Sequence, residues 1–179
     1  MAGAAAGAAL TVGVLLSACG SGDVPGDVAD ARWQVTDIED AVGADSGAPV
    51  TTGLSDADQA RTWLSFGTGE LSGGVGCLSL TGDVEWKKDN TLHIGDIRDR
   101  DAGDDSNGPA CMPGDRTIAD RLTAVLADTD LHWDSGSSGN YRKLTLTRTD
   151  GDTQDWQTAR SVSFLGTHEG RAGPLRWGP

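Results

Sequence analysis

Residues 62–97 read TWLSFGTGELSGGVGCLSLTGDVEWKKDNTLHIGDI, and this stretch decides the fold. Its apolar residues alternate instead of recurring at helical spacing. Leu64 and Phe66 fall on one face of residues 62–66, and Leu92 and Ile94 on one face of residues 91–97. Side chains that alternate between two faces mark strands. Gly67-Thr68-Gly69-Glu70 reads as a turn. Residues 71–77 are glycine-rich, as in a bulged strand or one that another backbone approaches closely. Residues 78–86 read as strand, turn and strand about Thr81-Gly82-Asp83.

The same alternation extends outward. Residues 32–38 carry the β-branched and aromatic content of a strand. Their alternation is imperfect, with Trp33, Val35 and Asp37 on one face and Ile38 on the other. Residues 41–60 read as a loop with a helical turn at 55–60, and 98–109 as a polar loop. One strong helix follows. Asp115 is placed to cap it, and Ile118, Leu122, Val125 and Leu126 make one apolar stripe ending near Ala127. Residues 131–133 are a short strand and 135–140 a loop. Residues 141–147 and 153–164 form a hairpin about Asp150-Gly151, a tight-turn pair. The expected architecture is mainly β, or α+β: a curled antiparallel sheet or barrel-like roll with one amphipathic helix packed on it.

The N-terminus reads differently. Residues 1–18 contain no charged side chain and run through Ala, Gly, Leu and Val. They are expected to be a signal peptide, too short and too rich in Gly for a membrane span. They end in Leu16-Ser17-Ala18-Cys19-Gly20, which resembles the bacterial lipobox: Leu, two small residues, then the cysteine that is lipidated and becomes the new N-terminus. Two acyl chains on one residue anchor stably, where a single chain is marginal. The Lys/Arg usual before the apolar run is missing, leaving only the Met1 amine positive. Residues 19–30 are expected to be a flexible tether. A domain is expected over 31–165, and a loose tail over 166–179. The expected location is the extracytoplasmic face of the cell membrane, with the membrane itself engaged through lipid on Cys19.

The chain of 179 residues has a formal net charge of −13, all of it after residue 18. Such acidity disfavours phosphate backbones, hence nucleic acid, and a polybasic contact with anionic lipid.

Several segments resemble the META domain family, the HslJ-type lipoproteins of bacterial envelopes. They occur in the family's order from about Trp33 to Phe164. An opening strand with tryptophan, Arg32-Trp33-Gln34-Val35, comes first. A strand and glycine-rich turn then end in Gly-Cys, here Trp63-Leu64-Ser65-Phe66 through Gly73-Gly74-Val75-Gly76-Cys77. Thr81-Gly82, Leu92-His93-Ile94 and Ala110-Cys111-Met112 before the helix follow, then Leu144-Thr145-Leu146. Leu78 stands where the family usually carries Asn, and Met112 follows the cysteine instead of preceding it. The resemblance implies a small antiparallel β domain with one helix, no catalytic activity, and a role linked to envelope stress, motility or secretion.

Cys77 and Cys111 remain once Cys19 is lipidated. An even pair in an exported chain reads as a disulfide, with two buried thiols or a metal or redox pair as the alternatives. Asp96, Asp99, Asp101, Asp104 and Asp105 invite a calcium reading. Counted from Asp99, however, Ala110 stands at the twelfth loop position, where a bidentate Glu is needed. His93, His132 and His168 have no metal spacing, and no Gly-x-Ser-x-Gly accompanies them. Gly67-Thr68-Gly69 begins a Gly-x-Gly-x-x-Gly pattern that Ser72 breaks. No metal and no cofactor are expected. Trp63, Trp86, Trp133 and Trp156 on one sheet face would suit a glycan or peptide. Trp63 and Trp86, which flank the glycine-rich segment, are the first candidates for contact with an envelope protein or glycan. The expected function is a non-enzymatic, lipid-anchored envelope lipoprotein that binds or shields a partner. The alternative is an envelope hydrolase acting on wall polymer, which requires a cleft with paired carboxylates or a His beside a nucleophile.

Overall fold

The computed structural model describes residues 22–40, 53–101, 110–138, 141–149 and 159–168, and the statements below concern these. Eight strands form one antiparallel meander: β1 (Ala31–Glu39), β2 (Thr62–Phe66), β3 (Glu70–Val75), β4 (Leu78–Trp86), β5 (Thr91–Asp101), β6 (Thr129–Ser138), β7 (Tyr141–Arg148) and β8 (Ser161–His168). A short helix α1 (Asp56–Gln59) precedes β2, and α2 (Pro113–Leu126) lies between β5 and β6. Each strand pairs with its sequence neighbours, and β8 returns to β1, so the sheet closes into a ring. The ring is uneven. The β1–β8 ladder runs from Ala31↔His168 to Glu39↔Ser161, whereas β1 and β2 share only Trp33↔Leu64 and Gln34↔Trp63. Closure removes the open sheet edges that would otherwise template aggregation.

The interior is filled by alternate side chains. Trp33, Leu64, Leu71, Leu80, Leu92, Ile94, Leu131, Leu144 and Phe164 are each at most 2% exposed. Outward positions such as Arg32, Gln34, Ser65, Ser79 and Glu85 are polar. This is the reverse of a lipid-facing barrel, whose outer band is apolar. An eight-stranded ring is just wide enough for its own side chains to fill.

The imperfect alternation in β1 has a structural cause. The register shifts between Val35 and Asp37. Thr36 is the extra residue, and its hydroxyl donates to the Ser163 carbonyl at 3.1 Å. The bulge turns Ile38 back inward, so Trp33, Val35 and Ile38 are all 0% exposed. A second bulge, between Gly82 and Val84, corrects the expected turn at Thr81-Gly82-Asp83. A Gly-Asp pair suits a bulge as well as a turn, and β5 is long enough to pair through it, so β4 is one strand. β5 and β6 also run further into the polar segments 98–101 and 135–138 than their composition predicts. Their partners β4 and β7 supply the hydrogen bonds.

β8 continues to His168, three residues past the expected domain end at 165. Gly166 reads as a breaker in sequence but has a packing reason. A Cβ there would lie 2.7 Å from the Trp33 ring. The turn about Asp150-Gly151 and most of the expected tail lie outside the described residues.

The two ends of the ring are closed differently. Helix α2 closes one. Its stripe of Ile118, Leu122, Val125 and Leu126 is buried as expected, joined by Ala119. The Arg121 guanidinium donates to the Ile38 carbonyl at 2.7 Å and to Asp40 at 2.8 Å, and Arg148 donates to the Ala124 carbonyl at 2.9 Å. These partners lie where β1 and β7 end. Asp115 caps the helix start, as expected, but from inside the first turn: Met112 is the N-cap, and Pro113 opens the helix.

Residues 22–30, read from sequence as part of a flexible tether over 19–30, close the other end; residues 19–21 lie outside the described residues. Val28 is 0% exposed, and Val24 packs against the core. The Val28 N–H donates to the Pro25 carbonyl at 2.8 Å, and the Trp33 indole N–H donates to the Val28 carbonyl at 3.0 Å. Gly22 N–H reaches the Trp86 carbonyl at 3.2 Å. The Arg142 guanidinium donates to the carbonyls of Gly26 and Asp27. The Gly and Asp content masks two valines that a proline turn sets on one face.

Candidate functional site

Cys77 and Cys111 form a disulfide, with Cα atoms 4.8 Å apart. It ties the β3–β4 turn to the residue just before the N-cap of α2. Cys77 is buried, whereas Cys111 is exposed. The Asp101 carboxylate lies 3.5 Å from the Cys111 sulfur. Cys77, Cys111 and Asp101 are the grouping among the described residues with metal-like proximity. With the sulfurs bonded to each other, neither is a thiolate, and one carboxylate remains. That is no ligand set for a transition metal.

Beside the bridge lies a polar centre that sequence reading missed. One oxygen of Asp115, whose side chain is 5% exposed, receives three donors: Met112 N–H at 2.9 Å, Arg61 Nη2 at 3.0 Å and Cys77 N–H at 3.3 Å. The carboxylate therefore joins the helix start, the β3–β4 turn and the residue before β2. Gly76 makes room for it. Its φ is +56°, and a Cβ there would come within 2.3 Å of both carboxylate oxygens. Asp115's donors are two backbone N–H groups and a guanidinium, so the carboxylate ties three segments of backbone together.

A second cluster stands on the surface of β4–β6. Asp130 accepts from Lys87 at 2.7 Å and shares a hydrogen bond with His93 Nδ1 at 2.8 Å. The hydrogen bond from Lys87, then that from His93, holds its carboxyl below the usual range. A His oriented by a carboxylate is half of a hydrolytic triad. Here the other neighbour of that carboxylate is an ammonium, and all three side chains are more than one-third exposed. The arrangement lacks the water-excluding cleft a hydrolase needs.

The aspartates of the acidic segment take separate roles. Asp96 pairs with Arg98, Asp99 with Arg116, and Asp101 faces Cys111. Asp104 and Asp105 lie outside the described residues, as do Cys19 and Trp156. His93 is paired as above, and His132 is exposed on β6.

The tryptophans divide by strand face. Trp86 is 4% exposed, which corrects its reading as a contact residue. It lies edge-on to Phe66 and to Trp133, and Phe66 meets Phe164 in the same way, forming an aromatic chain inside the ring. Its indole N–H donates to the Gly67 carbonyl at 3.2 Å. Trp63 points outward between the buried Leu64 and Thr62 and is half-buried. It lies across Gly74 of β3, and the Arg32 guanidinium stacks over its ring at 4.2 Å. Trp63 and Trp86 thus occupy opposite faces of the sheet and form no joint site. An open groove of about 450 Å³, which Trp63 does not line, is bordered by Asp30, Ser65, Gly67, Glu70 and Ser72.

Comparison of the chain with family models, curated proteins and solved structures gives no match.

Proposed function

We propose that the chain is a non-enzymatic lipoprotein, held on the extracytoplasmic face of the cell membrane by lipid on Cys19. On this reading its META-like ring binds or shields an envelope protein or glycan. The observation that carries it is Leu16-Ser17-Ala18-Cys19 placed shortly before a ring filled by its own side chains. An eight-stranded ring that encloses a ligand needs an emptier interior than this one. The Asp115 carboxylate of the Arg61–Asp115 centre holds turns together. What remains for recognition is the outer surface, where the Arg32–Trp63 pair offers an aromatic face with a cation on a strand. A rigid aromatic supplies contact area at low entropic cost.

The test compares the membrane-anchored chain with two variants. Cys19→Ser should leave an uncleaved, unlipidated precursor. Trp63→Ala should keep the fold and anchoring but abolish cross-linking to the envelope component that the unaltered chain captures. Hydrolysis of purified wall polymer by the folded chain would defeat the reading.

A further inference from the structure

The N-terminal segment decides which end of the ring faces the lipid. We propose that the end formed by the β2–β3, β4–β5 and β6–β7 turns rests against the headgroups of the anchoring bilayer. Helix α2 and the Cys77–Cys111 bridge then point away from it. The inference rests on lipid attachment at Cys19.

A free tether would allow any orientation, because a Gly/Ser chain behaves as a random coil. Here the tether stops early. Gly22 is bonded to the carbonyl of Trp86, the last residue of β4. Val28 is fully buried, and Arg142 holds the carbonyls of Gly26 and Asp27. Only three chain steps separate Cys19 from Gly22, and three residues reach at most about 10 Å. A diacylated cysteine lies at the bilayer surface. Gly22 must therefore lie within about 10 Å of that surface, and the Trp86 end of β4, hydrogen-bonded to it at 3.2 Å, only slightly further. Its Leu78 end, beside the disulfide, is further out by roughly 20 Å, the length of the nine-residue strand reduced by the usual tilt of strands in a ring.

The near end suits this position. Tyr141, which opens β7, is 57% exposed there, and an aromatic with a polar tip fits the headgroup level. All of the chain's lysines, Lys87, Lys88 and Lys143, lie in the β4–β5 turn or early in β7. They do not make a cationic patch. The exposed Asp23, Asp27 and Asp89 share this end, and Lys87 is paired with Asp130. The lipid, with no help from charge, holds this end down, so neutral phosphatidylcholine serves as well as anionic phosphatidylglycerol.

The lysines report the contact directly. The lipidated chain is placed on phosphatidylcholine vesicles, with and without phosphatidylglycerol, and treated with a membrane-impermeant amine-acylating reagent. The lipid-free chain 20–179, which keeps the whole packed ring and its N-terminal segment from Gly22 onward, is the soluble reference. Lys88 and Lys143 should react several-fold more slowly on both kinds of vesicle. Carboxyl labelling of the exposed Asp120 on α2 should not change. A Gly/Ser linker inserted after Gly20 should return the lysines toward their soluble rates. Equal lysine rates on vesicles that carry the floated chain would overturn the orientation and leave the lipoprotein reading intact. Protection of Asp120 instead, protection only with phosphatidylglycerol, or no effect of the linker would also overturn it. A chain that does not float with vesicles would sink the lipid attachment and this orientation together.

Discussion

Asp115 joins three segments of the chain through one buried carboxylate. Breaking a buried ion pair from one side leaves the other charge uncompensated, and here two backbone N–H groups lose their acceptor as well. Asp115→Ala should lower the unfolding free energy by about 3 kcal/mol, read as a shift of the urea midpoint at unchanged slope. Asp130 makes the contrast. Its partners are partly solvated, so Asp130→Asn should cost less than about 1 kcal/mol at neutral pH. The sign of its pH dependence follows from the depressed carboxyl. A carboxyl held low in the folded state stabilises above its unfolded pKa, and that contribution is lost as pH falls through the folded value. Wild type and Asp130→Asn should therefore converge in acid, in urea titrations taken from neutral pH downward. Asp115 was legible in the sequence only as a residue near a helix start. Its partners Arg61 and Cys77 stand 54 and 38 residues away, and no local pattern announces a contact of that range.

At the level of elements, strands and helix were legible wherever a local period or turn signal existed. The α2 stripe and the strand at 62–66 match the sequence reading residue for residue. What went unread depended on partners: two bulges, the polar ends of β5 and β6, and the packed segment 22–30. That segment yields a test. Val28→Ala should destabilise the ring by about 2 kcal/mol through lost burial, whereas a true tether residue would show no change on thermal unfolding. The Cys77–Cys111 bridge is the other tie between elements. It closes a loop with a sequence separation of 34, and in the chain-entropy model its loss costs about 4 kcal/mol. The double variant Cys77→Ala/Cys111→Ala should show most of that loss in urea. Equal stability of bridged and unbridged chains would mean the bridge is not formed in the mature protein.

For the whole molecule, a curled sheet or barrel-like roll was legible, but not which strands close it. Closure depends on β8 pairing with β1 across most of the chain, and on Gly166 leaving room for Trp33. The candidate site was less legible than the fold. Trp63 and Trp86 lie 23 residues apart on either side of a bulge-free β3, and only the ladder positions place one outside and one inside. The closed, self-filled ring directs attention to how the molecule is held and what its surface meets. The central claim is lipid attachment at Cys19, and the mature N-terminus tests it most directly. Mass spectrometry of the N-terminal peptide from purified membranes should show a chain that begins at Cys19 and carries a diacylglyceryl group. A peptide that begins at Met1, or a Cys19 without lipid, would contradict the account.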